Sequence, residues 1–187
     1  MRTSYLSAVA LLLATAPACS GPAKLFPSAT GLQWQVFASP DSAFVVEFPG
    51  PIQSRTRDTE QGTLQTTAVA WKGGGLSVAA LDMREGHPPI DHAASLQAVA
   101  EHSQGKLVRQ ADFTLQGHTG KRFEMEISRP IKGFLTGRAF VVKNRLYQVL
   151  AFGPQERASD TDVPHFLDSF KLTEGAAPAG PGEAQGK

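Results

Sequence analysis

From Trp34 onward the chain is a succession of short apolar runs, several of them alternating, punctuated by glycine, proline, serine and aspartate. Alternation with a period of two puts successive side chains on opposite faces of a strand, so the pattern predicts a β-rich domain. Trp34–Phe37 and Phe44–Phe48 form two short strands, broken by Ser39-Pro40-Asp41-Ser42 and ended by Pro49-Gly50-Pro51. Leu64–Trp71 and Leu76–Met83 flank Lys72-Gly73-Gly74-Gly75 as a hairpin. Leu107–Gln116, with Leu107, Ala111, Phe113 and Leu115 on one face, turns through Gly117-His118-Thr119-Gly120 into Arg122–Ser128. There Phe123, Met125 and Ile127 face inward, and Arg122, Glu124 and Glu126 face outward. Phe134–Lys143 and Arg145–Phe152 make a further hairpin around Asn144, and apolar residues on both faces of Leu146–Phe152 mark a central, doubly covered strand.

Two segments follow the helical period instead. Asp91 is a good N-cap for a helix to about His102, with Ala93, Leu96, Val99 and Ala100 as its stripe and Gly105 at its end. A second helix spans about Asp160 to Phe170, capped from Ser159, Asp160 and Thr161. Pro164 is tolerated in its first turn, and Val163, Phe166, Leu167 and Phe170 are apolar on one side. The expected class is α+β: a largely antiparallel sheet of about six to eight strands with two helices packed on it.

The N-terminus differs in kind. Arg2, an apolar stretch from Leu6 to Ala14, and Ala16-Pro17-Ala18 before Cys19 are the parts of an export signal. The stretch is shorter than the roughly 18 to 20 residues that span a bilayer. It resembles a bacterial lipoprotein signal, which implies that residues 1–18 are removed and Cys19 is lipidated. Ala16-x-Ala18 also fits ordinary cleavage, which would leave Cys19 as a free N-terminal thiol. Cys19 is the chain's single cysteine, so it has no disulfide partner within the chain. Ser20, in place of the aspartate associated with inner-membrane retention, favours the outer membrane, facing the periplasm. Residues 19–31 then form a tether, 32–173 the domain, and 174–187, rich in Gly, Ala and Pro, a disordered tail.

Charge adds a local feature. With 18 basic and 17 acidic side chains the balance gives no reason to expect nucleic acid. Yet Lys106 to Arg145 holds nine basic residues against Asp112, Glu124 and Glu126. Arg138, Lys143 and Arg145 are the candidate basic surface for an anionic partner. Lysine and arginine also keep edge strands soluble, which accounts for the same residues without a ligand.

Three segments carry a resemblance. Trp34-Gln35-Val36-Phe37-Ala38-Ser39-Pro40-Asp41-Ser42-Ala43-Phe44-Val45-Val46-Glu47-Phe48-Pro49-Gly50 resembles the opening of secreted PsbP-like proteins. Asn144-Arg145-Leu146-Tyr147-Gln148-Val149 is similar to a hairpin strand of that family, and Phe166-Leu167-Asp168-Ser169-Phe170-Lys171-Leu172 to its ending. The resemblance implies an α-β-α sandwich, closed by a helix and a final short strand, used mainly for binding and assembly. Such domains include photosystem accessory subunits and a nuclear-import factor. The family offers no catalytic set to carry over.

Other chemistry is thin. Ser103-Gln104-Gly105-Lys106 with His118-Thr119-Gly120 has the form of penicillin-recognising boxes, but the serine lies at a helix end rather than its start. His87, Asp91 and His92 are the least implausible metal ligands, although Pro88-Pro89 separates them and Asp91 serves as a cap. Gly73-Gly74-Gly75 lacks the lysine and helix of a phosphate loop, so no cofactor is expected. Trp34, Trp71 and Tyr147 either line a groove or belong to the core. The expected function is a membrane-tethered, non-enzymatic binding or assembly module of the envelope, meeting the membrane through its lipid and an envelope protein or polymer through the domain. An envelope hydrolase or metal-dependent enzyme, and a small-ligand carrier with a pocket beside Trp71, are the alternatives.

Overall fold

The computed structural model describes residues 33–86, 90–102, 104–128 and 132–173. The expected signal, the whole tether with Cys19, and the tail lie outside the described residues, as do His87, Ser103 and Arg129.

Every strand pairing among the described residues is antiparallel, in two sheets. β1 (Trp34–Ala38), β2 (Phe44–Pro49) and β10 (Lys171–Leu172) form a small sheet in the order β1-β2-β10. The main sheet comprises β3 (Gln53–Thr59), β4 (Gly62–Trp71), β5 (Gly74–Met83), β6 (Lys106–Leu115), β7 (His118–Ile127), β8 (Gly133–Val142) and β9 (Arg145–Pro154). Its seven strands run in the order β3-β4-β5-β9-β8-β7-β6. α1 (His92–His102) connects β5 to the far edge, and α2 (Asp162–Ser169) follows a 3-10 turn at Gln155–Arg157. The α+β class and the largely antiparallel sheet are as the pattern predicts, but the expected single sheet is divided: β1 and β2 leave it for the small sheet, and β3 joins it.

β9 lies at the centre of the sheet, and the alternation of its side chains sorts the core into two layers. Tyr147, Val149 and Ala151 point to the front, where they meet Phe44, Val46 and Phe48 of β2 and Val163, Phe166 and Leu167 of α2. Leu150 points to the back with Leu135, Ala139, Phe123 and Met125, under Leu96, Val99 and Ala100 of α1. The helices therefore cover opposite faces, as an α-β-α arrangement requires. Ring centroids in the front layer are 5.3 Å apart for Phe44–Phe170 and for Phe48–Phe166, and 5.5 Å for Phe140–Tyr147. Contacts of this kind add to the ~1.5–3 kcal/mol gained by burying each large apolar side chain.

Several local expectations are corrected. Two hairpin turns are tighter than the four-residue turns expected: only Lys72-Gly73 and Gln116-Gly117 lie between the paired ends, all four with positive φ. Such two-residue turns match the twist of the flanking strands, so Gly74 and Gly75 belong to β5, and His118, Thr119 and Gly120 to β7. A bulge between Leu107 and Arg109 reverses the phase of β6. Leu107 consequently packs against the back layer, while Phe113 and Leu115 pack against the front. In α1, Ala93 is exposed and leaves the stripe to Leu96, Val99 and Ala100. Its C-terminus closes through Gly105 N–H to Ala100 carbonyl at 2.8 Å, and Gln104 takes the left-handed conformation. β3 has no counterpart in the apolar pattern, because six of its seven residues are exposed.

Candidate functional site

Arg138, Lys143 and Arg145 do not form one basic face. Arg145 is only 3% exposed. Its Nη1 bonds the Asp41 carboxylate, its Nε stands 3.1 Å from Asp82 Oδ1, and its guanidinium lies 5.5 Å from the Tyr147 ring centroid. The candidate surface residue is thus a buried cation, drawn inward because β9 alternates it into the front layer beside two carboxylates. Its Nη2 and the Tyr147 hydroxyl have no hydrogen-bond partner among the described residues. Burial works to raise the Asp41 carboxyl, but hydrogen bonds from Ser39 and Arg145 outweigh it and hold its pKa below the usual value. At Asp82 burial prevails over the attraction of Arg145, and its pKa is raised. Lys143 is exposed at the β8–β9 turn.

Arg138 has a different setting. It lies on β8, where Nη1 donates to the Leu167 carbonyl at 2.7 Å and Nη2 bonds Asp168, while the guanidinium sits 4.7 Å over the Phe113 ring. These contacts fix Arg138 beside α2. Directly opposite it in the register stands Arg122 of β7, exposed, its side chain without a hydrogen bond or ion pair among the described residues.

This arginine pair belongs to a groove of about 510 Å³ on the front of the sheet. Val163, Pro164 and Leu167 of α2 form one wall, with Gln155, Ala158 and Ser159 continuing it before the helix. The floor is made by Arg122, Glu124 and Glu126 of β7 and by Phe134, Thr136 and Arg138 of β8. Val108, 52% exposed at the bulge of β6, lies on the far lip beside Arg109. Arg109 reaches Glu124 at 3.6 Å, with both side chains at least half exposed. An exposed pair of that geometry contributes little and is readily exchanged for a ligand.

The wall is anchored from three sides. Lys72 Nζ lies 2.8 Å from Asp160 and 2.7 Å from Asp162, and the Trp71 indole also donates to Asp162. Glu47 N–H donates to Ser169 Oγ at 3.0 Å, and His165 meets Glu47 at 2.8 Å while packing against Trp34. α2 is therefore held against the sheet by side chains from β1, β2 and the β4–β5 turn. A second concavity, of about 350 Å³, lies across β3 and β4, where Arg55 and Arg57 flank Leu64, Thr66 and Ala68.

The remaining expected residues are dispersed. Trp71 is 2% exposed and Tyr147 fully buried, so both are core residues, and Trp34 is half-buried on His165. His92 is half-buried at the start of α1, where burial and then Lys121 lower its pKa, while Asp91 is exposed. Among the described residues no three His, Cys, Asp or Glu side chains are grouped to hold a metal. Lys106 and His118 stand at opposite ends of the β6–β7 hairpin. No helix of the described residues is long and apolar enough to cross a membrane. The alternation of Arg122, Glu124 and Glu126 is visible in sequence, but their meeting with α2 is a tertiary contact without a local signal.

No protein-family model matches the chain, and no curated protein does so by sequence. Solved structures do. The solution structure of cyanobacterial PsbP from Synechocystis sp. PCC 6803 is similar with a TM-score of 0.54 and 10% identity, over 82% of this chain and 100% of that one. A Pseudomonas aeruginosa protein of unknown function is similar at a TM-score of 0.37 and 12% identity, over 71% of this chain and 88% of that one. With its seven-stranded sheet between α1 and α2, the chain has the PsbP-like fold.

Proposed function

We propose that this protein is a non-enzymatic binding or assembly module of the bacterial envelope, tethered to a membrane through lipidated Cys19, with the groove beside α2 as its recognition surface. The observation that carries the reading is the groove's make-up: an apolar wall at Val163 and Leu167 faces an arginine, Arg122, that the fold itself leaves unpaired. Apolar area combined with a few oriented polar groups suits recognition. The likeness to a PsbP structure supports a binding role for the fold, and the basic start and short apolar run before Cys19 support the tether.

Intact mass of the mature protein from its native membrane, beside a Cys19→Ala form, tests the tether. A mass excess equal to acyl chains, lost in the variant, is expected. A bare chain beginning at Cys19 would overturn the tether, make this a soluble exported protein and favour a carrier or an enzyme instead.

A further inference from the structure

The floor of the groove is a grid of charges whose sign changes along its length. In the first row Arg122 and Arg138 stand opposite each other; in the next Glu124 faces Thr136; in the third Glu126 faces Phe134. Same-face residues on a strand are about 6.6 Å apart, so the cationic and anionic ends are separated by roughly 13 Å. Like charges directly opposite each other destabilise a sheet. Arg138 is relieved by Asp168 and the Leu167 carbonyl, but Arg122 is not. Glu126 at the other end is likewise exposed; Lys106 of β6 stands opposite it in the register, but no ion pair or side-chain hydrogen bond joins them, so Glu126 remains open to a ligand.

We infer that this groove takes an extended peptide segment of a partner protein, with an acidic side chain against Arg122 and Arg138 and a basic one, four residues away, against Glu126. The argument is one of matching periods. An extended peptide repeats its same-face side chains at the spacing of β7 itself, so residues i and i+4 fall on the two charged ends. Residue i+2 then lies beside Thr136, and its neighbours meet the apolar wall at Val163 and Leu167 or the exposed Val108 on the opposite lip. The sign pattern sets which segments fit, and the apolar wall supplies contact area common to them. This deepens the binding-module reading and rests on it, but it is independent of the lipid.

The test uses the mature chain carrying Cys19→Ser and fluorescein-labelled nine-residue peptides with Glu, Leu and Lys at alternate positions. Control peptides carry Glu at both charged positions, Lys at both, or Gln at both. Anisotropy titration is expected to give the mixed-charge peptide at least tenfold tighter binding than each control, and Arg122→Glu is expected to abolish the difference. The Glu126→Arg protein, altered at an exposed site, is expected to transfer the preference to the peptide with two Glu residues, a gain that a folding defect does not produce. Equal binding of all four peptides, binding of none, or an unchanged preference in Glu126→Arg overturns the inference. If native-envelope cross-links at Val108→Cys still form in any of these cases, the binding-module reading stands and the peptide assignment alone fails.

Discussion

The Trp71 indole donates to the Asp162 carboxylate at 2.9 Å, joining the end of β4 to the first residue of α2 across 91 positions of the chain. Trp71 is 2% exposed, so the bond is made at the margin of the core, where the ring packs with the front layer. Trp71→Phe keeps most of that packing and removes the donor. A loss of about 1.5–3 kcal/mol is expected from urea unfolding, as for a hydrogen bond to a charged group. Amide exchange of Val163 to Leu167 is expected to accelerate in the same variant.

Arg145 is a second long-range tie. Arg145→Ala leaves Asp41 and Asp82 facing a buried gap without their cation. The expected cost is about 3–5 kcal/mol in chemical unfolding, the range for breaking one side of a buried pair. Arg145→Lys is expected to recover little, because an ammonium cannot meet two carboxylates through separate nitrogens as the guanidinium does.

The two carboxylates respond to acid with opposite signs. The pKa of Asp41 is lowered on folding from 3.8, so its contribution is fully present above pH 3.8 and lost as pH falls through the folded value. That of Asp82 is raised, so its contribution is fully present below pH 3.8 and lost as pH rises through the folded value. Asp41→Asn is therefore expected to destabilise at pH 7 and to approach wild type well below pH 3.8. Asp82→Asn is expected to cost less at pH 7. Paired denaturation curves between pH 2.5 and pH 7 would read both on the order of the ionisation steps involved.

β3 is an edge strand whose exposed arginines occupy a row bordering Leu64 and Ala68. Charge at such an edge discourages pairing with another sheet. Replacing both Arg55 and Arg57 with valine is expected to leave thermal stability nearly unchanged and to produce concentration-dependent oligomers by light scattering. A variant that stays monomeric would show that β3 is protected by other means.

Phe166 is fully buried and packs on Phe48 in the layer that seats α2. Phe166→Ala is expected to lose about 3–5 kcal/mol, and Phe166→Leu less, since it leaves a smaller cavity. Val36, 72% exposed on β1, is the comparison site: Val36→Thr is expected to change stability by under about 0.5 kcal/mol.

How much of this is legible in the sequence depends on whether a residue's fate is decided locally. Phe123, Met125 and Ile127 alternate with charges, so their burial toward the back layer follows from the pleat alone. β3 offers no such alternation; it is a strand because β4 lends it a hydrogen-bonding edge. Leu107 is misplaced by reading because one extra residue at the bulge reverses every later side chain. Arg145 sits beside Lys143 and Asn144 at a hairpin end, where a charge is ordinarily solvated. Its burial depends on Asp41, 104 positions away, and no local pattern contains that. The groove is hidden for the same reason: its charged floor is evident, but its apolar wall arrives on α2.

The pairing of β5 with β9 also has a consequence in time. As the chain is made from its N-terminus, β3, β4 and β5 can assemble as a meander of local hairpins, yet β5 then offers a bare edge lined by Leu76, Val78 and Leu81. Its proper neighbour is the last strand of the main sheet to emerge, after α1 and three further strands. Until then that edge is open to any other extended segment, and closure of so distant a contact is slow. A nascent chain of this design is safest when something holds it unfolded until β9 has arrived.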